Sequence, residues 1–304
     1  MRLSESSQKP VAVDGVQGFL GRAVADALVA RGVPVRGIAA GPGAKAPEGV
    51  DVAVAPLGDE AAIKKALEGA RAVVAVRKLL EERPREGLTF EAVHSGRTSD
   101  LVNAAAAAGA ERFVYIGIAG LKADSPGPLA EAERAAEAIL GGAKMPAVSL
   151  RASLVVGTGD GHVSRLAAKA RRASPAMVFV GQGWARSAPM TSRDFGECVA
   201  SVVLAEDFPK EPMNIGGPEL LTAMEIQDRL LGAAGRNKLK VHVPESVARF
   251  GAMLAEKLFK RPPVTRARLE WLLRDLIPDR VTSTEILGRR PERFETAFPG
   301  PGAE

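Results

Sequence analysis

The sequence predicts an α/β protein with a doubly wound parallel sheet and a smaller, partly interleaved α/β lobe towards the carboxyl end. Up to about residue 150, short apolar runs alternate with helical patterns, which is typical of parallel βαβ units. A glycine-rich turn joins the first apolar run to the first helical pattern. After residue 151 the alternation becomes irregular, which indicates the second lobe.

Length and composition exclude several classes of protein. The chain has 304 residues, of which 46% are hydrophobic and 25% charged, so it has enough apolar material for a sizeable core and global disorder is excluded. A single cysteine excludes a disulfide framework, and three histidines without ligand spacing predict no metal site. The net charge of +5 is mildly basic, but basic motifs interleaved with aromatics are absent, so no nucleic acid is expected as a partner.

The first βαβ unit is the clearest part of the pattern. Residues 10–13 form a short β-prone run, and the helical pattern that follows the glycine turn places Val24 and Leu28 on one face. Gly32 is a suitable residue to end this helix, and a second strand follows at 34–39. The unit has the length expected of a strand, a crossover helix and a parallel strand.

The alternation then continues through the first half of the chain. We expect further strands at 50–55, 72–76, 112–117 and 147–150, separated by helices at 60–68, 90–108 and 129–140. In the second half we expect strands at 177–180, 213–215 and 239–243, and helices at 194–204, 223–234 and 244–259. We therefore divide the chain into a dinucleotide-binding domain at 1–156, to which 187–217 returns, and a smaller substrate or partner lobe at 157–186 and 218–304.

The glycine turn predicts a site for a phosphate group. Gly15, Gly18 and Gly21 lie directly between a strand and a helix. Residues without Cβ let a pyrophosphate approach the backbone, where the amide groups of Phe19 and Leu20 are free at the helix start. A purely structural turn is the alternative reading of the same glycines.

Longer stretches resemble a known family. GVQGFLGRAVADALVARGVPVRG, TFEAVHSGRTSDLVNAAAAAGAERFVYIG and SLRASLVVGTGDG, in this order, are similar to extended and atypical short-chain dehydrogenase/reductases of the epimerase/dehydratase type. Their spacing most resembles the atypical subgroup that includes the nucleotide-binding accessory subunit of respiratory complex I and its bacterial relatives. The resemblance implies a Rossmann fold and NAD(P) as the cofactor.

The chain departs from this family at its catalytic positions. The resemblance implies a Tyr-x-x-x-Lys pair on a helix, but Pro128 and Ala132 stand near those positions. The region where a serine is usual reads Gly117-Ile118-Ala119. The single tyrosine, Tyr115, has Ala119 rather than lysine four residues later. We therefore predict no catalytic residue and little or no standard hydride transfer. The alternative is an epimerase, dehydratase or reductase with a displaced acid or base, for which the nearby candidates are Asp124, Ser125, Glu131 and Glu133.

The contacts that select the cofactor also differ from the family pattern. Ala39 and Ala40 end the second strand, where an acidic residue would accept the ribose hydroxyls of NAD. Arg36, slightly earlier, and Lys45, slightly later, favour a phosphate, so we expect NADP(H) rather than NAD(H) and include Arg36 among the cofactor-binding residues. Two cations follow the fourth strand, Arg77 and Lys78; they would either clamp an anionic ligand or obstruct the nucleotide path.

The second lobe contains further candidate contacts. In the helix at 244–259, Val247, Phe250, Leu254 and Leu258 share one face, which predicts either packing within the lobe or docking onto a protein or a membrane surface. A pure interaction subunit of a redox or membrane-associated complex is therefore a further alternative. Candidate anion contacts near the loop 157–161 are Arg151, Arg186 and Arg193. The polar N-terminal segment predicts no signal peptide and hence the cytoplasm, with a peripheral position at a membrane as the variant.

Overall fold

A computed structural model describes residues 9–43, 45, 47–259, 262 and 264–298. The N-terminal segment 1–8, from which the absence of a signal peptide is predicted, lies outside the described residues, as do 299–304 at the end of the predicted second lobe. The strands are β1 Val11–Asp14, β2 Val35–Ala39, β3 Val50–Val54, β4 Ala72–Ala75, β5 Arg112–Ile118, β6 Ala147–Ala152, β7 Val155–Val156, β8 Ala176–Val180, β9 Arg186–Ser187, β10 Met190–Thr191, β11 Met213–Ile215, β12 Leu221–Thr222 and β13 Leu239–Val243.

Seven of these strands form one parallel sheet in the order β11-β6-β5-β4-β1-β2-β3. The predicted fold class is therefore confirmed. The strand order reverses at β1, which has β2 on one side and β4 on the other, and a crevice opens at such a point outside the carboxyl ends of the strands. The short strands pair two by two outside the main sheet, as β10 with β7, β12 with β9 and β13 with β8.

Helices cover both faces of the main sheet. They are α1 Phe19–Ala30, α2 Glu60–Leu67, α3 Arg97–Ala107, α4 Pro128–Gly141, α5 Val163–Arg171, α6 Ser192–Leu204, α7 Ala223–Ala233, α8 Glu245–Leu258, α9 Arg266–Leu272, α10 Ser283–Leu287 and α11 Phe294–Ala297. On one face, α1 and α6 contribute Leu28, Phe195 and Val199 to the core; on the other, α2 and α3 contribute Ile63 and Leu101. Because both faces are covered, all four residues of β1 are buried.

The second lobe has an apolar cluster of its own. Met177 and Phe179 of β8 pack there with Ile226 and Leu230 of α7 and Phe294 of α11. The sequence does not predict α5 or the helices after α8, because these segments are short and rich in charged residues. None of the described helices is long and apolar enough to cross a membrane.

The helix expected at 90–108 is not uniform. Its first part, Glu91–Gly96, is a π-helix, and the α-helix α3 begins only at Arg97. Such wide turns occur frequently at functional sites. This one carries the buried side chain of His94 and leads directly into the buried Arg97, and both take part in the polar clusters described below.

The contact between α1 and α6 requires a glycine. A Cβ at Gly196 would collide with the backbone carbonyl of Ala23. We expect Gly196→Ala to lower the free energy of unfolding by about 1–3 kcal/mol through overpacking. The matched control is Gly141→Ala at the end of α4, where a Cβ meets open space and the substitution should be neutral or slightly stabilising. Urea denaturation measures both, and equal stability of the two variants would contradict the prediction.

Candidate functional site

The segment between β1 and α1 forms a tight turn. Gly15 has a φ of +84°, a left-handed conformation that favours glycine. The amide of Gly18 donates a hydrogen bond of 2.9 Å to the carbonyl oxygen of Gly15 and closes the turn. A Cβ at Gly21 would collide with the same carbonyl, so the first turn of α1 lies directly against the end of β1.

The start of α1 leaves its amide groups open. Gly18 precedes the helix and offers no capping side chain, and the first turn holds no acidic residue. The N–H groups of Phe19, Leu20 and Gly21 therefore lack an acceptor within the helix, and the helix dipole is not neutralised there. A Cβ at Gly157 would lie 3.3 Å from the Phe19 ring, so the turn adjoins the loop after β7. Such a start is suited to bind a phosphate group.

Directly before the turn lies a buried ionic network. Asp14, the last residue of β1, is fully buried. Arg77 binds its carboxylate with two hydrogen bonds of 3.0 and 3.1 Å, and Arg97 adds a third of 2.7 Å. Arg97 also donates to the carbonyl oxygen of Pro56 at 3.1 Å, so it connects β1 with the end of β3.

This network carries an excess of positive charge. One carboxylate, Asp14, faces the two guanidinium groups of Arg77 and Arg97, and the buried Nε of Arg97 has no hydrogen-bond partner among the described residues. A Cβ at Gly15 would be only 3.1 Å from the Cα of Arg77, so the network touches the glycine turn. An anion bound to the turn would therefore lie next to a net positive charge.

A second buried cluster lies between β4, β5, α4 and the π-helix. The Nζ of Lys78 donates to Glu133 at 2.6 Å and to the hydroxyl of Tyr115 at 2.8 Å. The Tyr115 hydroxyl donates to the other carboxylate oxygen of Glu133 at 3.0 Å, and Nδ1 of His94 lies 2.6 Å from Glu133. Of the displaced acid or base candidates, Glu133 is thus a buried member of a charged cluster.

The two cations after β4 are both bound to acids. Arg77 pairs with Asp14 and Lys78 with Glu133, and their side chains are only 16% and 11% exposed. Neither side chain stands free above the glycine turn. The sequence offered two alternatives for these cations, a clamp on an anionic ligand and an obstruction of the nucleotide path. The structure shows a third arrangement, in which each cation neutralises a buried carboxylate.

The electrostatics of the second cluster do not activate Tyr115. Burial raises its pKa well above the usual 10.0, and the hydrogen bond to the Glu133 carboxylate raises it further. Burial alone would also raise the pKa of Glu133, but Lys78 and His94 outweigh this effect and hold it at about 2. A tyrosine and a lysine are thus in contact, as in the Tyr-x-x-x-Lys device, but the phenol is a weaker acid than usual rather than a stronger one.

The position of the expected catalytic serine is also occupied. A Cβ at Gly117 would lie 2.8 Å from the hydroxyl of Ser149 and 3.0 Å from a carboxylate oxygen of Glu137. Glu137 itself accepts hydrogen bonds from Ser149 and Arg151, at 2.6 to 2.7 Å. The space beside β5 is therefore filled by a polar cluster that needs glycine at position 117.

The expectation for Arg36 needs correction. Its guanidinium donates to the carbonyl oxygens of Ala66 and Glu68 and pairs with Asp51. The two carbonyl groups lie at the end of α2 and Asp51 lies near the start of β3, at the opposite end of the strands from the glycine turn. Lys45, the later of the two cations named from the sequence, accepts a hydrogen bond from Arg22 at its backbone carbonyl, at 2.5 Å.

The other candidate anion contacts are engaged in ion pairs. Arg151 binds Glu137, Arg186 binds Asp275, and Arg193 binds Glu197 and Glu292. In the loop 157–161, the carboxylate of Asp160 accepts the backbone amides of Gly157, His162 and Ser164, and so fixes the start of α5. Arg151 therefore joins β6 to α4, Arg186 binds a residue of the second lobe, and Asp160 fixes the loop before α5.

Burial shifts the pKa of two further residues whose types often carry chemistry, Cys198 and His162. Burial raises the pKa of the Cys198 thiol to about 12. Burial, together with the charge of Arg268, lowers the pKa of His162 to about 4. Within the described residues, no group of three or more His, Cys, Asp or Glu side chains is arranged to hold a metal ion.

A cavity of about 460 Å³ lies beside the start of α4. It is lined by residues of the loop before α4 and of helices α8 and α9, among them the charged residues Glu245, Arg249, Glu270 and Arg274. Arg274 donates to the carbonyl oxygen of Pro126 and so joins the second lobe to this loop. The cavity is large enough for a small molecule.

Sequence reasoning did not foresee the partners of Asp14 and Glu133. A signal existed for Asp14, because an acidic residue that ends a buried strand must find a cation. Another existed for Tyr115, which alternates with Val114 and Ile116 and so faces one side of the sheet. No local pattern identifies Arg97 or His94 as their partners.

The second cluster leads to a prediction about stability. Glu133→Gln leaves the Lys78 ammonium buried without a charged partner, and should lower the free energy of unfolding by about 3–5 kcal/mol. Glu131→Gln, on an exposed position of the same helix, is the control and should change it by less than about 0.5 kcal/mol. Chemical denaturation measures both, and a small loss for Glu133→Gln would show that the cluster does not hold α4 to the sheet.

The same carboxylate predicts a dependence on pH. Its pKa of about 2 in the folded protein lies below the ordinary value of 4.5, so the stabilisation is complete above pH 4.5 and is lost as the pH falls towards 2. The size of this loss is roughly 3 kcal/mol. Denaturation curves recorded from pH 6 to 2 measure this loss. The slope of the free energy of unfolding against pH should be smaller in Glu133→Gln than in the wild-type protein. An identical slope in both proteins would contradict the assignment.

Comparison with known proteins agrees with this geometry. A family described as NAD(P)H-binding matches residues 15–154. No curated protein matches the chain by sequence. Among solved structures, gox2253 superposes with a TM-score of 0.72 at 23% identity, and 95% of this chain and 96% of that chain are covered.

Two further structures have stated ligands. The NADPH-dependent quinone oxidoreductase QOR2 of Escherichia coli, complexed with NADPH, has a TM-score of 0.70, 21% identity and coverage of 95% and 98%. UDP-glucose 4-epimerase of Thermotoga maritima, with UDP-glucose, has a TM-score of 0.72, 17% identity and coverage of 95% and 96%. These identities show a shared fold. Residues 15–154 therefore match an NAD(P)H-binding family model, and the chain shares the Rossmann-like fold of these three structures.

Proposed function

We propose that this protein binds a dinucleotide, NADP(H) rather than NAD(H), at the turn formed by Gly15, Gly18 and Gly21, and performs little or no standard hydride transfer. The observation that carries the proposal is the net positive charge of the Asp14 network directly beside the open amide groups of Phe19 and Leu20. The family match over the same segment supports it.

The phosphates of the dinucleotide would lie on the start of α1. The open amide groups donate hydrogen bonds to phosphate oxygens, and the helix dipole adds to their attraction. The Asp14 carboxylate alone would repel a phosphate bound at the glycine turn that directly follows it. Arg77 and Arg97 reverse the sign of the local charge, so they permit an acidic residue directly before the first glycine.

The preference for NADP(H) rests on the end of β2. Ala39 and Ala40 offer no carboxylate to the ribose hydroxyls, and the amide of Ala40 is bound by the side chain of Gln17. Arg22 donates a hydrogen bond to the backbone carbonyl of Lys45, in the segment that follows β2. A 2′-phosphate would meet positive charge there, whereas a ribose of NAD would lack its usual acceptor.

The proposal of little or no standard hydride transfer rests on the groups that surround the expected catalytic positions. Pro128 begins α4 and has no ionisable group, Ala132 is buried, and the place beside Gly117 is filled by Glu137 and Ser149. The contact of Tyr115 with Lys78 does not replace the missing device, because the phenol keeps its proton and donates a hydrogen bond to the Glu133 carboxylate.

The rival function is a reductase or epimerase with a displaced acid or base. Structures with the same fold include a quinone oxidoreductase with NADPH and an epimerase with UDP-glucose. A non-catalytic interaction subunit of a redox or membrane-associated complex, as the resemblance to the complex I accessory subunit suggests, is a second alternative. Turnover of NADPH with quinones, carbonyls or nucleotide sugars distinguishes the rival from the proposed function.

Calorimetric titration of nucleotide-free protein with NADPH and with NADH tests the proposal. We expect micromolar binding of NADPH and weaker binding of NADH. Gly18→Asp should reduce NADPH binding by about 30-fold or more, because the carboxylate occupies the open amide groups of α1 and repels phosphate. Aspartate is a good residue before a helix, so the fold should be retained.

The matched control is Gly18→Ala, which adds a Cβ 3.2 Å from the Gly15 carbonyl oxygen but no charge. It should bind NADPH much better than Gly18→Asp, and thermal denaturation verifies that both variants are folded. No heat with either nucleotide would show that the glycine turn is only architectural. Tighter binding of NADH than of NADPH would overturn the assigned cofactor preference.

A further inference from the structure

The contact between α5 and α9 brings cations together. His162, which directly precedes α5, lies edge-on against Trp271 of α9, with the two ring centres 5.5 Å apart. Arg165 lies one helical turn after His162, and Arg268 lies one turn before Trp271, so both side chains belong to the faces on which the two helices meet. Lys169 follows Arg165 by a further turn. We call Arg165, Lys169 and Arg268 the α5–α9 cations.

The charges of these residues act on one another. Burial lowers the pKa of Arg268, and the charge of Arg165 lowers it further. Burial and the charge of Arg268 lower the pKa of His162 to about 4. Arg165 and Lys169 act on His162 in the same direction. Three positive charges therefore lie around a histidine that is uncharged at neutral pH.

No acid neutralises the α5–α9 cations. Within the described residues none of the three forms an ion pair, and Arg165 donates only to the backbone carbonyl of Gly161. The neighbouring acids are Asp160, whose carboxylate is bound by backbone amides, and Glu81 in the loop after β4, which acts on Arg268 without forming an ion pair. The surroundings of Arg268 are therefore positive.

The lack of an acceptor distinguishes Arg268 from other half-buried arginines. Arg112, Arg229 and Arg274 are also half-buried, and each donates to a carbonyl or a carboxylate group. In the described part of the chain the guanidinium of Arg268 donates to none, although arginine is rarely buried without a partner. Holding it beside the charge of Arg165 costs free energy, which an anion between the two groups would recover. The cluster is therefore complementary to an anion.

The α5–α9 cations adjoin the crevice at the carboxyl ends of the strands. The loop 157–161 leads directly into α5, and a Cβ at Gly157 would lie 3.3 Å from the ring of Phe19 in the glycine turn. Glu81, which acts on Arg268, follows β4, whereas the 2′-phosphate is proposed at the end of β2. Because β2 and β4 lie on opposite sides of β1, the cations lie towards the part of the crevice away from that phosphate.

We propose that the α5–α9 cations bind the phosphate group of a second small ligand, which lies beside the dinucleotide. A phosphate group carries nearly two negative charges and accepts paired hydrogen bonds from guanidinium groups, whereas a single carboxylate would leave more of the positive charge uncompensated. That this ligand is the second one to bind rests on the proposed function; the site itself consists of residues outside the glycine turn.

The fluorescence of Trp271 tests this site. The chain has two tryptophans, and the other, Trp184, is 70% exposed, so Trp184→Phe leaves Trp271 as the single emitter. Sodium pyrophosphate, added at constant ionic strength, should change its emission until saturation. Arg268→Gln and Arg165→Gln should each raise the dissociation constant of pyrophosphate by about tenfold or more. Arg171→Gln removes the same charge from an exposed position of α5 and should change it by less than about twofold.

Thermal denaturation without ligand separates binding from folding. Arg268→Gln should leave the midpoint unchanged or raise it slightly, because it removes a half-buried charge that has no partner. A marked loss of stability would show that Arg268 supports the fold rather than a ligand, and would overturn the proposal.

Two further titrations separate this site from the dinucleotide site. Pyrophosphate can also bind at the glycine turn, so the Trp271 response is measured in Gly18→Asp and in the presence of oxidised NADP. It should persist in both. A response that is lost in Gly18→Asp or displaced by NADP would assign the cations to the dinucleotide and overturn the second ligand. A response that persists in a protein unable to bind NADP would support the phosphate site and contradict only the proposed function.

The chemistry of the ligand is tested by comparing anions. Succinate, a dicarboxylate, should bind more weakly than pyrophosphate, because its charges lie on two separate groups. Tighter binding of succinate, a response that does not saturate, or an equal loss in Arg171→Gln and Arg268→Gln would each overturn the proposal.

Discussion

The buried carboxylate of Asp14 is the constraint on which the rest of the site depends. It ends the central strand of the sheet, where no water reaches it, and an unpaired charge at such a place would cost several kcal/mol. Arg77 and Arg97 reach it from the end of β4 and from the start of α3. The same contacts that permit its burial also fix these two segments and leave the glycine turn beside a surplus of positive charge.

In the Glu133 cluster, too, a buried carboxylate is paired with positive charge, and here the contacts fix α4. A buried acid is surrounded by Lys78, His94 and Tyr115, which come from the segments that α4 covers. The groups are those from which an acid–base device is built, but the Lys78 ammonium and the Tyr115 hydroxyl both donate hydrogen bonds to the Glu133 carboxylate. Under the proposed function, affinity for a nucleotide and chemistry on a substrate are separable properties of this fold.

The strands and the glycine turn could be predicted because their signals are local. A run such as Val11–Asp14 is apolar along nearly its whole length when both faces of a sheet are covered, and a glycine is needed wherever a Cβ would collide. Arg36 was misjudged because nearness in sequence to the end of β2 does not fix the direction of a long side chain. The partners of Asp14 lie 63 and 83 residues away, and no local pattern encodes contacts of that range.

The separation of Asp14 from Arg97 also has a consequence during synthesis of the chain. Asp14 leaves the ribosome 83 residues before Arg97, which at usual rates of translation corresponds to about 4 to 17 seconds. For this time the carboxylate has to remain hydrated, since burial without its partners is unfavourable. The central strand thus emerges before both of its cationic partners and cannot take its final place until α3 has followed it.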